Sequence, residues 1–341
     1  MSHDGRGVSS RPLVLFSYSP NLRYILLSFF RCIFKPYCLH FTQPQQADRT
    51  LLMSAQLSLA FCSSNGMHVQ VLGSSSAGNA TLVWLGDKAL LVDCGFGPRY
   101  LERHLKSHGL RLASLSGVVV THVHGDHVNE LAVEALAERG VPLYCTPSVE
   151  RPLLHGYRAV RSAARLGLLK TVRHTEAAIG PFQVEAFEVP HDSPGGCFGY
   201  RISDGTHIMT IATDLSHPER ELIDRFVNSH VLVIESNHDP DMLENSRRPA
   251  WLKRRIRERG HLSNGECAGL VAGVLEKSHT LPSAVVVAHI SQECNTNPLA
   301  VSCTADILKR RGYHDIPVVE SHKDMPNVAV HAGNGTAASR A

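Results

Sequence analysis

The run Val118-Val119-Val120-Thr121-His122-Val123-His124-Gly125-Asp126-His127 decides how this chain is read. Three consecutive valines mark a buried strand, and four candidate metal ligands follow it at once. In layered α/β folds, functional groups gather on loops just beyond the carboxyl ends of such strands. His122 and His124, two apart on a turning loop, can bite one metal, while Asp126 and His127 can be directed at a second ion close by. Imidazole and carboxylate suit zinc, and also manganese or iron. A chance cluster of surface histidines would not be expected directly behind an apolar strand.

Working outward, 67–73, 80–86, 88–93, 117–121, 182–189, 197–203, 206–212, 231–235 and 284–288 predict strands separated by Gly, Ser and Asn turns. Helical spacing covers 98–108, 128–139, 217–228, 250–259, 263–277 and 298–311, with Pro98, Pro218 and Pro298 near starts and Gly140, Gly260 and Gly312 just past ends. The alternation predicts one mixed α and β domain over 67–323. Residues 324–341 end in small side chains and read as a flexible tail. Residues 1–66 read as a poorly ordered extension. Met67 is the preferred natural start, which would make the upstream stretch a mis-assigned one. The apolar run Tyr24 to Phe30 is interrupted by Arg31, Lys35 and Pro36, far short of the ~20 residues that span a bilayer. It also lacks the uninterrupted apolar core and cleavage site of a secretory signal.

A chain of 341 residues with 43% hydrophobic and 19% charged positions can bury a large core. Its net charge of +3 misleads, because 1–66 hold six basic and two acidic residues, leaving 28 basic and 29 acidic in the body. Nucleic-acid binding would therefore need local basic patches. Nine scattered cysteines without a CxxC pair suggest reduced thiols and a cytoplasmic protein; each reads more simply as a small core residue than as a ligand.

The HxHxDH pattern behind an apolar strand resembles the signature of metallo-β-lactamase-fold hydrolases, which implies a four-layered αββα sandwich. The resemblance extends in order along the chain. His191, ending Phe187-Glu188-Val189-Pro190-His191-Asp192, matches the third ligand of the first metal. Asp214, ending Thr210-Ile211-Ala212-Thr213-Asp214, matches the bridging carboxylate. His289, ending Ala284-Val285-Val286-Val287-Ala288-His289, matches the last ligand of the second metal. The implied ligand sets are His122, His124, His191 and Asp214 for one ion, and Asp126, His127, Asp214 and His289 for the other. Asp93 matches an early aspartate that supports the metal loop.

Leu72 to Asn79, Glu235 to Asp239, Gly260 to Asn264 and His289-Ile290-Ser291 further resemble the YycJ-type (WalJ-like) branch of exonucleases, over nearly all of 67–320. Gly125 between the ligands and Val128-Asn129-Glu130-Leu131 depart slightly from the pattern. Ribonuclease Z, a wider relative, carries a His-Ser-Thr motif where His261-Leu262-Ser263 stands. The resemblance thus implies that His261 is a phosphate contact or proton donor, against the plainer reading of a histidine preceding a helix. Glu235 is open between a strand-end ion pair and support of the site. His155, His174, His207, His217, His230 and His238 match no ligand motif and read as structural or solvated.

Two divalent cations so held, most simply zinc, can share a water and lower its pKa toward 7 from about 15.7, giving a hydroxide nucleophile that Asp126 orients. Such sites hydrolyse phosphodiesters, lactones, thioesters or β-lactams. The cluster Arg247, Arg248, Lys253, Arg254, Arg255, Arg257 and Arg259, running into His261, favours a nucleic acid. A second basic run, Arg151, Arg158, Arg161, Arg165, Lys170 and Arg173, fills the connection between the metal loop and the His191 strand. A solvated helix face is the bland reading of both. A lactonase or thioesterase acting on a small ester is the other enzymatic reading, and a non-enzymatic metal-binding role the remote one. No membrane partner is expected, and association into a homodimer is left open.

Overall fold

The computed structural model describes residues 66–173 and 176–333. The predicted extension therefore lies outside the described residues, apart from Gly66, and so do Cys32, Cys38, Cys62 and His174.

The strands form two seven-stranded sheets. The first contains β1 (His68–Ser75), β2 (Gly78–Leu85), β3 (Lys88–Val92), β4 (Leu115–Val119), β5 (Leu143–Cys145), β6 (Leu169–Thr171) and β14 (Val330–His331), ordered β14-β1-β2-β3-β4-β5-β6. The second contains β7 (Ala177–Ile179), β8 (Phe182–Val189), β9 (Cys197–Ser203), β10 (Ile208–Ala212), β11 (Val231–Glu235), β12 (Ala284–Ala288) and β13 (Val318–Glu320), ordered β13-β12-β11-β10-β9-β8-β7. Each sheet is antiparallel in one half and parallel in the other: β3 to β6 run parallel in the first, and β10 to β13 in the second.

Alternation along the central strands shows what each face meets. Val231, Val233, Val286 and Ala288 join the core shared with the first sheet. Leu232, Ile234, Val285 and Val287 join a second core with Leu222 and Phe226 of α5 (Arg220–Phe226), Leu270, Val271 and Val274 of α8 (Asn264–Lys277), and Ala300 and Leu308 of α9 (Asn297–Arg310). The outer face of the first sheet is covered by Leu101 and Leu105 of α1 (Pro98–Lys106), Val133 and Leu136 of α2 (Glu130–Ala137), and Val160 of α4 (Arg158–Arg165). Strands buried on both faces explain the all-apolar runs, and the layers are helix, sheet, sheet, helix as expected.

The predicted strands and helices are all present, with shifted ends. Asn129 caps α2 by accepting from the Ala132 amide, so that helix starts at Glu130. The segment expected to be helical to residue 259 is α7 (Ala250–Arg255) followed by a widened π turn over Ile256–Gly260. The sequence hid α3 (Pro147–Gly156), which contains Pro152, as well as α4, α6 (Pro240–Asn245), and the short strands β5, β6, β7, β13 and β14. Two- and three-residue strands offer too few positions for period-two alternation. The expected loose tail is tied down as far as residue 333: Asn327 Oδ1 accepts from the Val71 amide at 2.9 Å, and β14 pairs with β1.

Candidate metal centre

The backbone of the His122 to His127 loop is fixed before its side chains act. The Asn79 amide donates to the Asp126 carbonyl at 2.7 Å, Cys94 to His127 at 3.0 Å, and Asn129 to Cys94 at 3.0 Å. This close approach requires Gly95, where a Cβ would stand 1.8 Å from the Asp126 carbonyl oxygen. The Tyr157 hydroxyl donates to the Val123 carbonyl from the far side at 2.8 Å. The remaining donors follow strands of the second sheet: His191 follows β8, Asp214 β10 and His289 β12, while Glu235 ends β11. Asp93, Asp214 and His289 have φ of 62°, 60° and 54°, left-handed conformations costly for residues with a Cβ and typical of functional sites.

Ligand-capable atoms of His122, His124 and His191 lie within 4.8 Å of one another, as do those of His122, His127 and Asp214, and those of Asp214, His261 and His289. Asp214 thus stands between the groups. Its carboxylate lies 3.2 Å from His127 Nε2, 3.6 Å from His289 Nε2 and 3.8 Å from His261 Nδ1. Asp126 Oδ2 lies 3.4 Å from His127 Nε2. All seven predicted ligands and His261 are therefore brought to one place, with His261 nearest Asp214 through Nδ1 and His289 through Nε2.

Neighbouring groups fix how the imidazoles face. His127 Nδ1 donates to Asp93 Oδ2 at 2.8 Å, His191 Nδ1 to the Gly260 carbonyl at 3.1 Å, and His261 Nδ1 to Glu235 Oε1 at 2.7 Å. His289 Nδ1 lies 3.3 Å from Asn79 Oδ1. At His127, His191 and His289 the engaged nitrogen is Nδ1 and Nε2 is the one turned toward the other donors, the arrangement that orients metal-ligating histidines, whereas at His261 Glu235 holds Nδ1. The fit to cations is supported by the buried His191 Nε2, which has no hydrogen-bond partner, and by Asp214 Oδ2, whose near contact is another donor of the cluster, His127 Nε2. Burial holds His122, His124 and His191 below the usual imidazole range and so disfavours their charged forms. Burial opposes ionising Asp214, but His289 and His127 outweigh it and hold the carboxyl well below its usual range.

Glu235, open in the sequence, is fully buried; besides binding His261 it accepts from the Leu215 amide at 2.6 Å, tying the Asp214 loop to His261. Three supporting residues escaped the sequence reading. Asn79 Nδ2 meets Asp126 Oδ2 at 3.1 Å and His127 Nε2 at 3.0 Å; Thr121 Oγ1 touches Asp93, His122 and His127; and the Cys197 thiol lies 3.5 Å from His122 Nδ1. Asn79 and Thr121 border the quoted motifs, but nothing in their spacing announces these contacts.

A cleft of about 230 Å³ opens over the donors, lined among others by His124, Asp126, His191, Asp214, His261, His289, Arg248, Arg255 and Arg259. The basic segment is thus divided. Arg257 binds Glu244 at 2.9 Å and Arg254 lies 3.8 Å from Glu258, whereas Arg248, Arg255 and Arg259 face the cleft. Arg255 also lies 3.4 Å from Asp192, and Arg248 2.9 Å from Glu293. In the second basic run, Arg158 is paired with Glu134 and Arg161 with backbone carbonyls, away from this cleft.

Residues 88–290, more than half of the chain, match the family model described as the beta-lactamase superfamily domain. The chain is 29% identical over 270 residues to the exodeoxyribonuclease YycJ of Bacillus anthracis, covering 77% of this chain and 97% of the relative. It is 26% identical over 242 residues to the exodeoxyribonuclease WalJ of Streptococcus pneumoniae serotype 2, covering 69% and 86%. Among solved structures, the metallo-β-lactamase-fold protein YhfI of Bacillus subtilis superposes with a TM-score of 0.56 at 17% identity, covering 78% of this chain and 99% of that one. The two-sheet sandwich, the ordered donor cluster and these matches agree: the chain belongs to the β-lactamase superfamily and is a metal-dependent hydrolase of the metallo-β-lactamase fold.

Proposed function

We propose that the chain is a dinuclear phosphodiesterase acting on nucleic acid, most simply an exonuclease. His122, His124, His191 and Asp214 would hold one divalent cation, and Asp126, His127, Asp214 and His289 the other. The chemistry of the donors favours zinc and admits manganese or iron. The observation that carries the reading is the convergence of these donors, including His191 Nε2, which has no hydrogen-bond partner, beneath a cleft edged by Arg248, Arg255 and Arg259. The exonuclease names of its relatives point to the same substrate class.

Bound cations would supply Lewis acidity that polarises a phosphoryl oxygen and makes a water nucleophilic near neutral pH. Asp126 orients that nucleophile. His261 gives a proton to the departing oxygen from Nε2, while Glu235 holds Nδ1 and stabilises the charged ring. The three arginines hold phosphates flanking the scissile bond. Six free thiols among the described residues suit a reducing cytoplasm, and no helix among those residues is long and apolar enough to cross a membrane.

The test is turnover by the metal-loaded chain of end-labelled single- and double-stranded DNA and RNA, beside a thioester and a lactone. Release of nucleotides from one end is expected; ester turnover with inert nucleic acids would replace the nuclease by a small-ester hydrolase. Neutralising Arg255 and Arg259 should flatten the plot of log affinity against log salt by about 0.7 to 0.9 per lost phosphate contact. An unchanged slope would remove the cleft arginines from the substrate path.

A further inference from the structure

The chain has two tryptophans. Trp84 is 7% exposed and packs between His68 and His108, with centroids 5.0 and 4.4 Å away. Trp251 is 67% exposed, on a six-residue helix, α7, that buries none of its side chains. Leu252 of this helix packs against the small core of Leu243, Ile256 and Cys294, but the indole of Trp251 stays in water, where burial does not account for it. Its position does. Arg255, four residues on and so on the same helical face, lines the cleft over the donors. Leu252 and Ile256 form the apolar part of that wall, and the segment continues through the π turn directly into His261. Arg257 is tied to Glu244 and Arg255 to Asp192, so the rim bearing the indole is anchored at both sides.

We propose that Trp251 is a stacking platform for an unpaired base of the substrate, which makes the preferred substrate a single-stranded or frayed nucleic-acid end. This deepens the nuclease reading and rests on it. A flat aromatic face beside guanidinium groups is how proteins hold single strands: cations follow the phosphates and the ring takes a base. Bases within a duplex are already stacked and offer no free face. The platform is sequence-tolerant, because every base has a π face.

The test uses full-length metal-loaded protein and its Trp251→Ala and Trp251→Phe variants. Tryptophan emission is titrated with oligothymidylate and with a duplex of equal length. The buried Trp84 supplies the background, so quenching by the single strand that is lost in Trp251→Ala reports the indole itself. KM for the single strand should rise roughly five- to a hundredfold in Trp251→Ala, the range of one base–aromatic stack. It should return in Trp251→Phe, with turnover of bis-p-nitrophenyl phosphate unchanged throughout. Cleavage of single strands with wild-type KM in Trp251→Ala would overturn the platform and leave the nuclease reading standing. Emission that changes with protein concentration instead of oligonucleotide would assign the indole to a second copy of the chain. If wild-type protein bound and cut no nucleic acid, both readings would fall together.

Discussion

Strands β10, β11 and β12 begin at one histidine cluster and end at another. At their carboxyl ends, His122, His124 and His191 have ring centroids 4.6 to 5.3 Å apart. At their amino ends, His207 lies 5.3 Å from His230 and 6.2 Å from His331, nearly as close. What separates the clusters is what else meets the rings. At the first, carboxylates of Asp93, Asp126, Asp214 and Glu235 converge, and Asp93 and Glu235 fix Nδ1 of His127 and His261. At the second, His207 Nδ1 binds Asp204, His230 Nδ1 accepts from the Ile208 amide at 3.0 Å, and the Ser283 hydroxyl meets the backbone carbonyls of His230 and His331, not their rings. Left-handed backbone occurs at Asp214 and His289 and at none of those three histidines. Abundance of histidine does not make a metal site; strand ends, carboxylates and committed tautomers do.

The sharpest way to break the comparison is to disable each cluster in turn. A His122→Ala/Asp214→Ala variant should lose bound metal by elemental analysis. It should also lower bis-p-nitrophenyl phosphate turnover by more than about a thousandfold, since one electrostatic donor alone contributes ~10² to 10³. His207→Gln/His331→Gln should keep both. Metal and activity surviving the first variant, or vanishing in the second, would reverse the assignment. A smaller effect separates proton donor from ligand at His261. Its replacement by Ala, or Glu235→Gln, should slow nucleic-acid cleavage by roughly 10² or more, the usual share of general acid catalysis. Bis-p-nitrophenyl phosphate should be nearly spared, because nitrophenolate departs without a proton. Equal losses on both substrates, with metal content reduced, would make His261 a ligand beside His289.

Much of this was legible because the donors sit at strand ends, and strands buried on both faces announce themselves as apolar runs: Val118 to Val120, Ile211-Ala212 and Val285 to Ala288. The ligand order along the chain then follows from the topology that brings those ends together. What the sequence hid was contact across elements. Asn79, at the start of β2 behind a Gly/Ser-rich stretch, touches Asp126, His127 and His289. Glu235 could be an ordinary strand-end carboxylate until its neighbour His261 arrives from another element. The basic segment was readable as a patch, but only side-chain geometry shows that Arg255, itself near Asp192, and Arg259 line the cleft while Arg254 and Arg257 do not. Charge runs give no period that says which member points where.

The amino-end cluster yields the smallest and most specific expectation, a pH dependence unrelated to metal. Burial, then the neighbouring His207, lowers both His230 and His331 below the ordinary 6.5. Asp204 opposes the shift at both, while Arg201 adds to it at His230. As pH falls through 6.5 the unfolded chain takes up these protons before the folded one does. Stability is thus unaffected above that value and declines below it. The partial exposure of both rings limits the size of the effect, which makes slope the right observable. Tm plotted against pH between about 7 and 5 should be flatter for His230→Gln/His331→Gln than for the unaltered chain, by at most about one proton per ring replaced. The flattening should be the same in chelator-treated and metal-loaded protein, because neither ring is among the converging donors. A slope unchanged by the double substitution would move the acid sensitivity to the carboxyl-end cluster, and with it the claim that the two clusters titrate independently.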